Sequence, residues 1–106
     1  MVKNQKLLEE IKNILTNNLS LNIDRVILFG SRIDKSFKSY SDYDILVILN
    51  QSYDWKIEDN IINCCYDLML KYDIILDIKV ISSSELNTVR GKQPYIQSAI
   101  NLGITV

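Results

Sequence analysis

The sequence predicts a small mixed α/β domain, one β-sheet of at least three strands with helices against it. Three observations predict it. Apolar residues recur at three- and four-residue steps in two long stretches, short apolar runs closed by turn residues separate them, and the order reads α, β, loop or helix, β, α, β, α, α. The first stretch carries Leu7, Leu8, Ile11, Ile14, Leu15 and Leu19, with Lys3, Lys6, Glu9, Glu10, Lys12 and Asn13 elsewhere on the wheel, an amphipathic helix over Lys3 to Leu19. Arg25 to Phe29 is a short apolar run closed by Gly30 and reads as a buried strand. Residues 31–41 are polar and turn-rich. Asp44 to Leu49 is apolar on both alternating faces, as a central strand covered on both sides would be.

Trp55 to Tyr72 has room for five turns and places Ile57, Ile61, Cys64, Cys65, Leu68 and Met69 at helical steps. Ile74 to Ile81 reads as a third strand. Ser82, three residues before Glu85, is a capping-box signal for a short helix. Gly91 to Pro94 breaks the chain, and Tyr95 to Leu102 makes a last short helix stopped by Gly103.

A chain of 106 residues with 47% hydrophobic and 24% charged side chains reads as a single domain over residues 1–106 with its own core. Twelve basic residues against thirteen acidic give a net charge of -1, which excludes affinity for a polyanion resting on bulk positive charge. No histidine is present, so a Ser-His-Asp triad, a histidine base and a His-ligated zinc are all excluded. The only cysteines, Cys64 and Cys65, diverge by about 100° on a helix, poor geometry for a bridge, and read as reduced thiols suited to a cytoplasm. Charges interrupt the N-terminus and no apolar run approaches the ~20 residues of a bilayer span, so the expectation is a cytoplasmic protein with no membrane partner.

The chemistry concentrates between Phe29 and Ile48. Gly30-Ser31-Arg32 ends a strand where the chain must turn. Glycine there permits a positive φ and close approach of a phosphate, backbone amides and the Ser31 hydroxyl can hold phosphate oxygens, and Arg32 adds positive charge. An ordinary turn would use the same Gly-Ser. A ten-residue spacer later, Asp42-Tyr43-Asp44 runs into the second strand. Residues two apart project to the same side, so the two carboxylates point together and Tyr43 faces the opposite, packed side. Two negative charges ~4 Å apart at an effective dielectric near 20 repel by about 4 kcal/mol, which a divalent cation or a bound proton would relieve. A solvated strand end is the plainer alternative. Asp77 lies inside an apolar strand, where a carboxylate needs a metal or a partner, and Lys79 two positions on could be that partner.

Together these features describe one site. Three carboxylates could hold two Mg²⁺ ions roughly 3.5–4 Å apart for in-line nucleotidyl displacement, with the Gly-Ser turn on the leaving pyrophosphate. Leu28-Phe29-Gly30-Ser31-Arg32 followed by Ser41-Asp42-Tyr43-Asp44-Ile45-Leu46-Val47 closely resembles the signature of the minimal nucleotidyltransferases, the MNT branch of the DNA polymerase β-like superfamily. The C-terminal Pro94-Tyr95-Ile96 and Gly103-Ile104 also resemble that family's ending. The resemblance implies a polymerase β-like nucleotidyltransferase fold and Mg²⁺-dependent transfer of a nucleoside monophosphate. By it, Gly30, Ser31 and Arg32 would bind the phosphates of a nucleoside triphosphate. Asp42 and Asp44 would ligate both metals, and Asp77 the catalytic metal while helping to deprotonate the acceptor.

Nearly the whole chain is catalytic core, and chains of this kind resemble the MNT antitoxins paired with HEPN toxins. That resemblance implies ATP as substrate and AMP transfer to a tyrosine of a HEPN-type toxin. A binding module that only occludes its toxin, and a small-molecule transferase acting on aminoglycoside-like acceptors, are the alternatives. Homo-oligomers are compatible with each. Trp55 and the tyrosines could stack a base, but are read as core or interface packing.

Overall fold

The computed structural model describes residues 3–30 and 42–106. Helix α1 (Asn4–Leu19) leads through a left-handed Ser20 into strand β1 (Ile23–Phe29). After the undescribed 31–41 come β2 (Tyr43–Leu49), α2 (Trp55–Tyr72), β3 (Leu76–Ser82), a 3₁₀ turn (Ser83–Glu85), α3 (Pro94–Leu102) and β4 (Ile104–Thr105). The sheet order is β3-β2-β1-β4, with β2 parallel to β3 and both other pairs antiparallel. This is the expected mixed sheet with helices on it, and β2 is central as its two apolar faces require.

Alternation along the strands sorts their side chains between two cores. Val26, Leu28, Tyr43, Ile45, Val47 and Val80 face Leu7, Leu8, Ile11 and Leu15 of α1 and Ile61, Cys65 and Leu68 of α2. Ile27, Leu46, Ile48 and Ile81 face Ile96 and Ala99 of α3. Tyr43 is therefore packed, on the side expected of it. Truncating one of these fully buried aliphatics to alanine costs about 2–5 kcal/mol, so two-sided burial holds β2 firmly.

Local chemistry sets the element ends. The Asp54 carboxylate accepts from the Ile57 amide at 3.0 Å and starts α2, and Asp73 closes it in the left-handed conformation (φ 52°). The Ile74 amide still donates to Met69 O as the helix closes, so Ile74 and Ile75, expected to open the third strand, stand outside it and β3 begins at Leu76. Ser82 and Glu85 form the expected capping box, with Ser82 N and Oγ donating to Glu85 Oε1 at 3.1 and 2.9 Å. Pro94 takes the first turn of α3, where a missing amide costs nothing. The short β4 adds a fourth strand to the three that the apolar runs predict. Both neighbouring cysteines are free, Cys65 buried and Cys64 half-buried. No described helix is long and apolar enough to cross a membrane.

Candidate active site

The antiparallel register of β1 and β2 sets Phe29 opposite Asp44, and the parallel register of β2 and β3 sets Asp44 opposite Asp77. These three residues form one row across the end of the sheet, on the face that α3 covers further along. Strands neighbour each other at about 4.8 Å, so the two carboxyl-bearing residues are side by side. Phe29 stacks on Tyr95 of α3, their ring centroids 6.4 Å apart, and closes that helix's end of the row. The Tyr43 amide donates to Ile75 O at 2.9 Å, pinning the starts of β2 and β3 together just where the acids stand.

Gly30 ends β1 with φ +79°, a conformation that an L side chain rarely adopts. A Cβ there would lie 3.1 Å from Asp44 Cγ and closer still to Asp44 Oδ2. Glycine is thus required twice, by backbone conformation and by the approach of the Asp44 carboxylate. Asp44 is half-buried, and burial pushes its carboxyl above the ordinary range, with the charges of Asp77 and then Asp42 adding to the rise and Lys79 opposing it. Asp44 thus lies within electrostatic reach of Asp77 and Asp42. Asp42 itself is exposed, directly ahead of β2.

Asp77 also has the partner that its spacing offered. Lys79 Nζ donates to Asp77 Oδ1 at 3.2 Å, both side chains nearly half exposed, so the pair contributes little stability. Among the described residues, no three acidic or thiol side chains already stand as a metal-holding group. The donor set nevertheless fits a divalent cation in kind. It consists of hard carboxylate oxygens whose repulsion a cation would relieve, beside Gly30, which carries no side chain. Ser31 and Arg32 lie outside the described residues.

Two features escape a reading of the sequence. Phe29 in the acid row and the cross-strand pairing of Asp44 with Asp77 both depend on register, which two strand patterns read separately do not contain.

A family model described as Polymerase beta, Nucleotidyltransferase matches residues 9–100. Two proteins of Methanocaldococcus jannaschii, both named "Putative protein adenylyltransferase" (MJ0604 and MJ0141), are similar in sequence. The first is 30% identical over 77% of this chain and 76% of its own length, the second 29% identical over 95% and 96%. A crystal structure of a mutant toxin-antitoxin MntA-HpeT has a similar fold, with a TM-score of 0.59 and 18% identity over 92% of this chain and 69% of that one. Glycine-ended β1, the Asp-x-Asp opening of β2 and the acid in β3 thus stand within a recognised domain, and the chain belongs to the Polymerase beta nucleotidyltransferase family.

Proposed function

We propose that this nucleotidyltransferase is an antitoxin that transfers AMP from ATP to a tyrosine of a cognate HEPN-type toxin. The observation that carries the reading is the register of Asp44 against Asp77 beside a glycine that cannot be replaced without touching Asp44. The protein acceptor is supported by the names of the two archaeal relatives, and the antitoxin role by the similar fold of the toxin-antitoxin MntA-HpeT. That mutant carries Asp-to-Glu changes two positions apart, the spacing of Asp42 and Asp44 here.

In this mechanism Asp42 and Asp44 would hold two Mg²⁺ ions and Asp77 one of them. Bound Mg²⁺ supplies neutralising charge for the triphosphate. Gly30, with Ser31 and Arg32 of the same motif, orients the β- and γ-phosphates. The tyrosine oxygen attacks the α-phosphorus, and the bond from that phosphorus to the oxygen bridging the β-phosphate breaks. Pyrophosphate leaves with the electron pair, and Asp77 accepts the hydroxyl proton. To do so Asp77 must exchange Lys79 for the reacting groups, which the weak, half-exposed pair permits. A base of this kind contributes about 10²–10⁴-fold.

Intact-mass measurement of the HEPN partner after incubation with this chain, ATP and Mg²⁺ tests the reading. One added AMP on a tyrosine is expected with wild type, and none with Asp42→Asn or Asp44→Asn. Equal product from wild type and Asp42→Asn removes the catalytic assignment. The Lys79–Asp77 pair favours a second reading, a chain that neutralises by occlusion alone. Toxin neutralisation that survives Asp44→Asn without ATP would select it.

A further inference from the structure

Helix α2 presents a second apolar face, turned away from the core. Trp55, Ile62, Tyr66 and Leu70 follow at steps of seven and four, which at 100° per residue align them in a stripe, and they are 70, 41, 57 and 66% exposed. The buried residues Ile61, Cys65 and Leu68 occupy the other side of the helix. Apolar stripes on both sides mark a helix with a second partner to meet. The outer stripe is acidic in its setting. From Asp54 to Asp73 five acids accompany two lysines, and of these Lys71 is tied to Glu10 of α1 while Lys56 lies over the Trp55 ring. Glu58, Asp59 and Asp67 flank the stripe and make no ion pair among the described residues. At its Trp55 end the stripe runs into a cavity of about 420 Å³ lined by Tyr53, Asp54, Glu58, Ser84 and Glu85. This cavity adjoins Ser82 at the far end of β3 from Asp77, about 16 Å along the strand, so it is separate from the acid row.

We infer that the outer face of α2 docks a basic amphipathic helix of another protein. An apolar ridge on that helix covers Trp55, Ile62, Tyr66 and Leu70. Its flanking lysines or arginines meet Glu58, Asp59 and Asp67, and one enters the cavity between Trp55 and Glu85. Charge complementarity selects this occupant. A second copy would set one acidic helix against another, and an anionic lipid surface would meet the same repulsion. The docking needs no nucleotide and leaves the Asp44–Asp77 edge accessible.

Trp55 is the chain's only tryptophan and reports on the site directly. The whole chain, without nucleotide, is titrated with a synthetic helical peptide carrying a leucine ridge flanked by lysines, and with its glutamate-flanked counterpart. The expected result is a saturable blue shift of Trp55 emission with the lysine peptide, weakened by 0.5 M salt, and at least about tenfold weaker binding in Tyr66→Ser/Leu70→Ser. Glu58→Lys/Asp59→Lys should reverse the preference toward the glutamate peptide. Tyr66, Leu70 and Asp59 are exposed and Glu58 is half-buried, and unchanged circular dichroism confirms that each variant is folded. No shift with the lysine peptide, equal binding of both peptides, or a dimer in sedimentation that Tyr66→Ser/Leu70→Ser dissolves would each overturn the inference.

Discussion

Gly30→Ala is the most incisive substitution, because two separate costs meet at one Cβ. A φ of +79° disfavours any L residue, at about 1–2 kcal/mol. The added carbon also presses on the Asp44 carboxylate, the far end of a side chain that can swing aside at about 0.5–1.5 kcal/mol of rotamer strain. Together these destabilise the fold by roughly 2 kcal/mol, which for a domain of this size lowers Tm by about 8–16 °C. The displaced carboxylate is the one that pairs with Asp77, so nucleotidyl transfer falls further than the folded fraction does. Gly103→Ala is the control. There φ is ordinary (-76°), but a Cβ would lie 2.8 Å from Leu28 O and closer to Ala99 O and Ile27 Cγ2, away from the acid row. Thermal unfolding by circular dichroism, with transfer assayed well below every transition, should show both variants destabilised and only Gly30→Ala inactive. Gly30→Asn separates the two costs, since asparagine tolerates the left-handed region yet still carries the Cβ. It should regain stability without regaining activity. A Gly30→Ala protein that is fully active while folded would refute the role given to Asp44.

Three further outcomes follow from the charges and burial. Burial, then the charges of Asp77 and Asp42, raise the Asp44 carboxyl, so its ionised form opposes folding above the ordinary carboxylate range, and that penalty fades as the pH falls. Asp44→Asn should therefore raise Tm at neutral pH in chelator while abolishing transfer, with the gain shrinking toward acid. A lower Tm at neutral pH would reverse the sign. At the α1–α2 contact, the Tyr72 hydroxyl lies 2.8 Å from both Glu10 oxygens, and chiefly that bond, with Lys71 assisting, holds Glu10 below the usual glutamate range. Its contribution is present above that range and is lost on acidification. Tyr72→Phe should cost about 1 kcal/mol at pH 7 after solvent screening, and its denaturation curves should converge on wild type below pH ~4. Burial pushes the Cys65 thiol up to about 12, whereas Cys64 is half-buried. Iodoacetamide at neutral pH should label Cys64 and leave Cys65 unmodified in the native chain, as peptide mapping would show.

Helices are the most legible part of the fold. α2 runs over the residues that its periodicity marks, Trp55 to Tyr72, because its capping aspartates and its apolar steps agree. Strand bodies are legible from two-sided apolarity, and their ends are not. At β3 the closing hydrogen bond of α2 overrides the apolar character of Ile74. β4 is two residues long and exists because Thr105 and Ile104 pair with Ile27 and Leu28, more than two thirds of the chain away. Local pattern holds no trace of such a pairing. Trp55, read as core or interface packing, is 70% exposed on this chain, which removes the core alternative alone. At the site, Asp42, Asp44 and Asp77 are nameable from residue type and position, and the salt link of Asp77 with Lys79 from their spacing. What joins Asp44 to Asp77 and Phe29 is register, a property of strand pairs.

That register is fixed by the same alternation that builds the two cores. Sliding β2 by one residue against its neighbours would carry Asp44 into the α1–α2 core and expel Tyr43, Ile45 and Val47 from it. The aliphatics of β2 would only exchange one buried face for the other, so the cost concentrates at the start of the strand, where an unpaired carboxylate would enter an apolar layer. Tyr43 would leave that core for the acid row at the same time, and the exchanged side chains, different in shape, would have to repack both cores. The acid pair is thereby held in place by residues that never touch it. Substitutions deep in β2 that loosen this alternation should accordingly weaken the pairing of Asp44 with Asp77 while leaving every acid in the sequence.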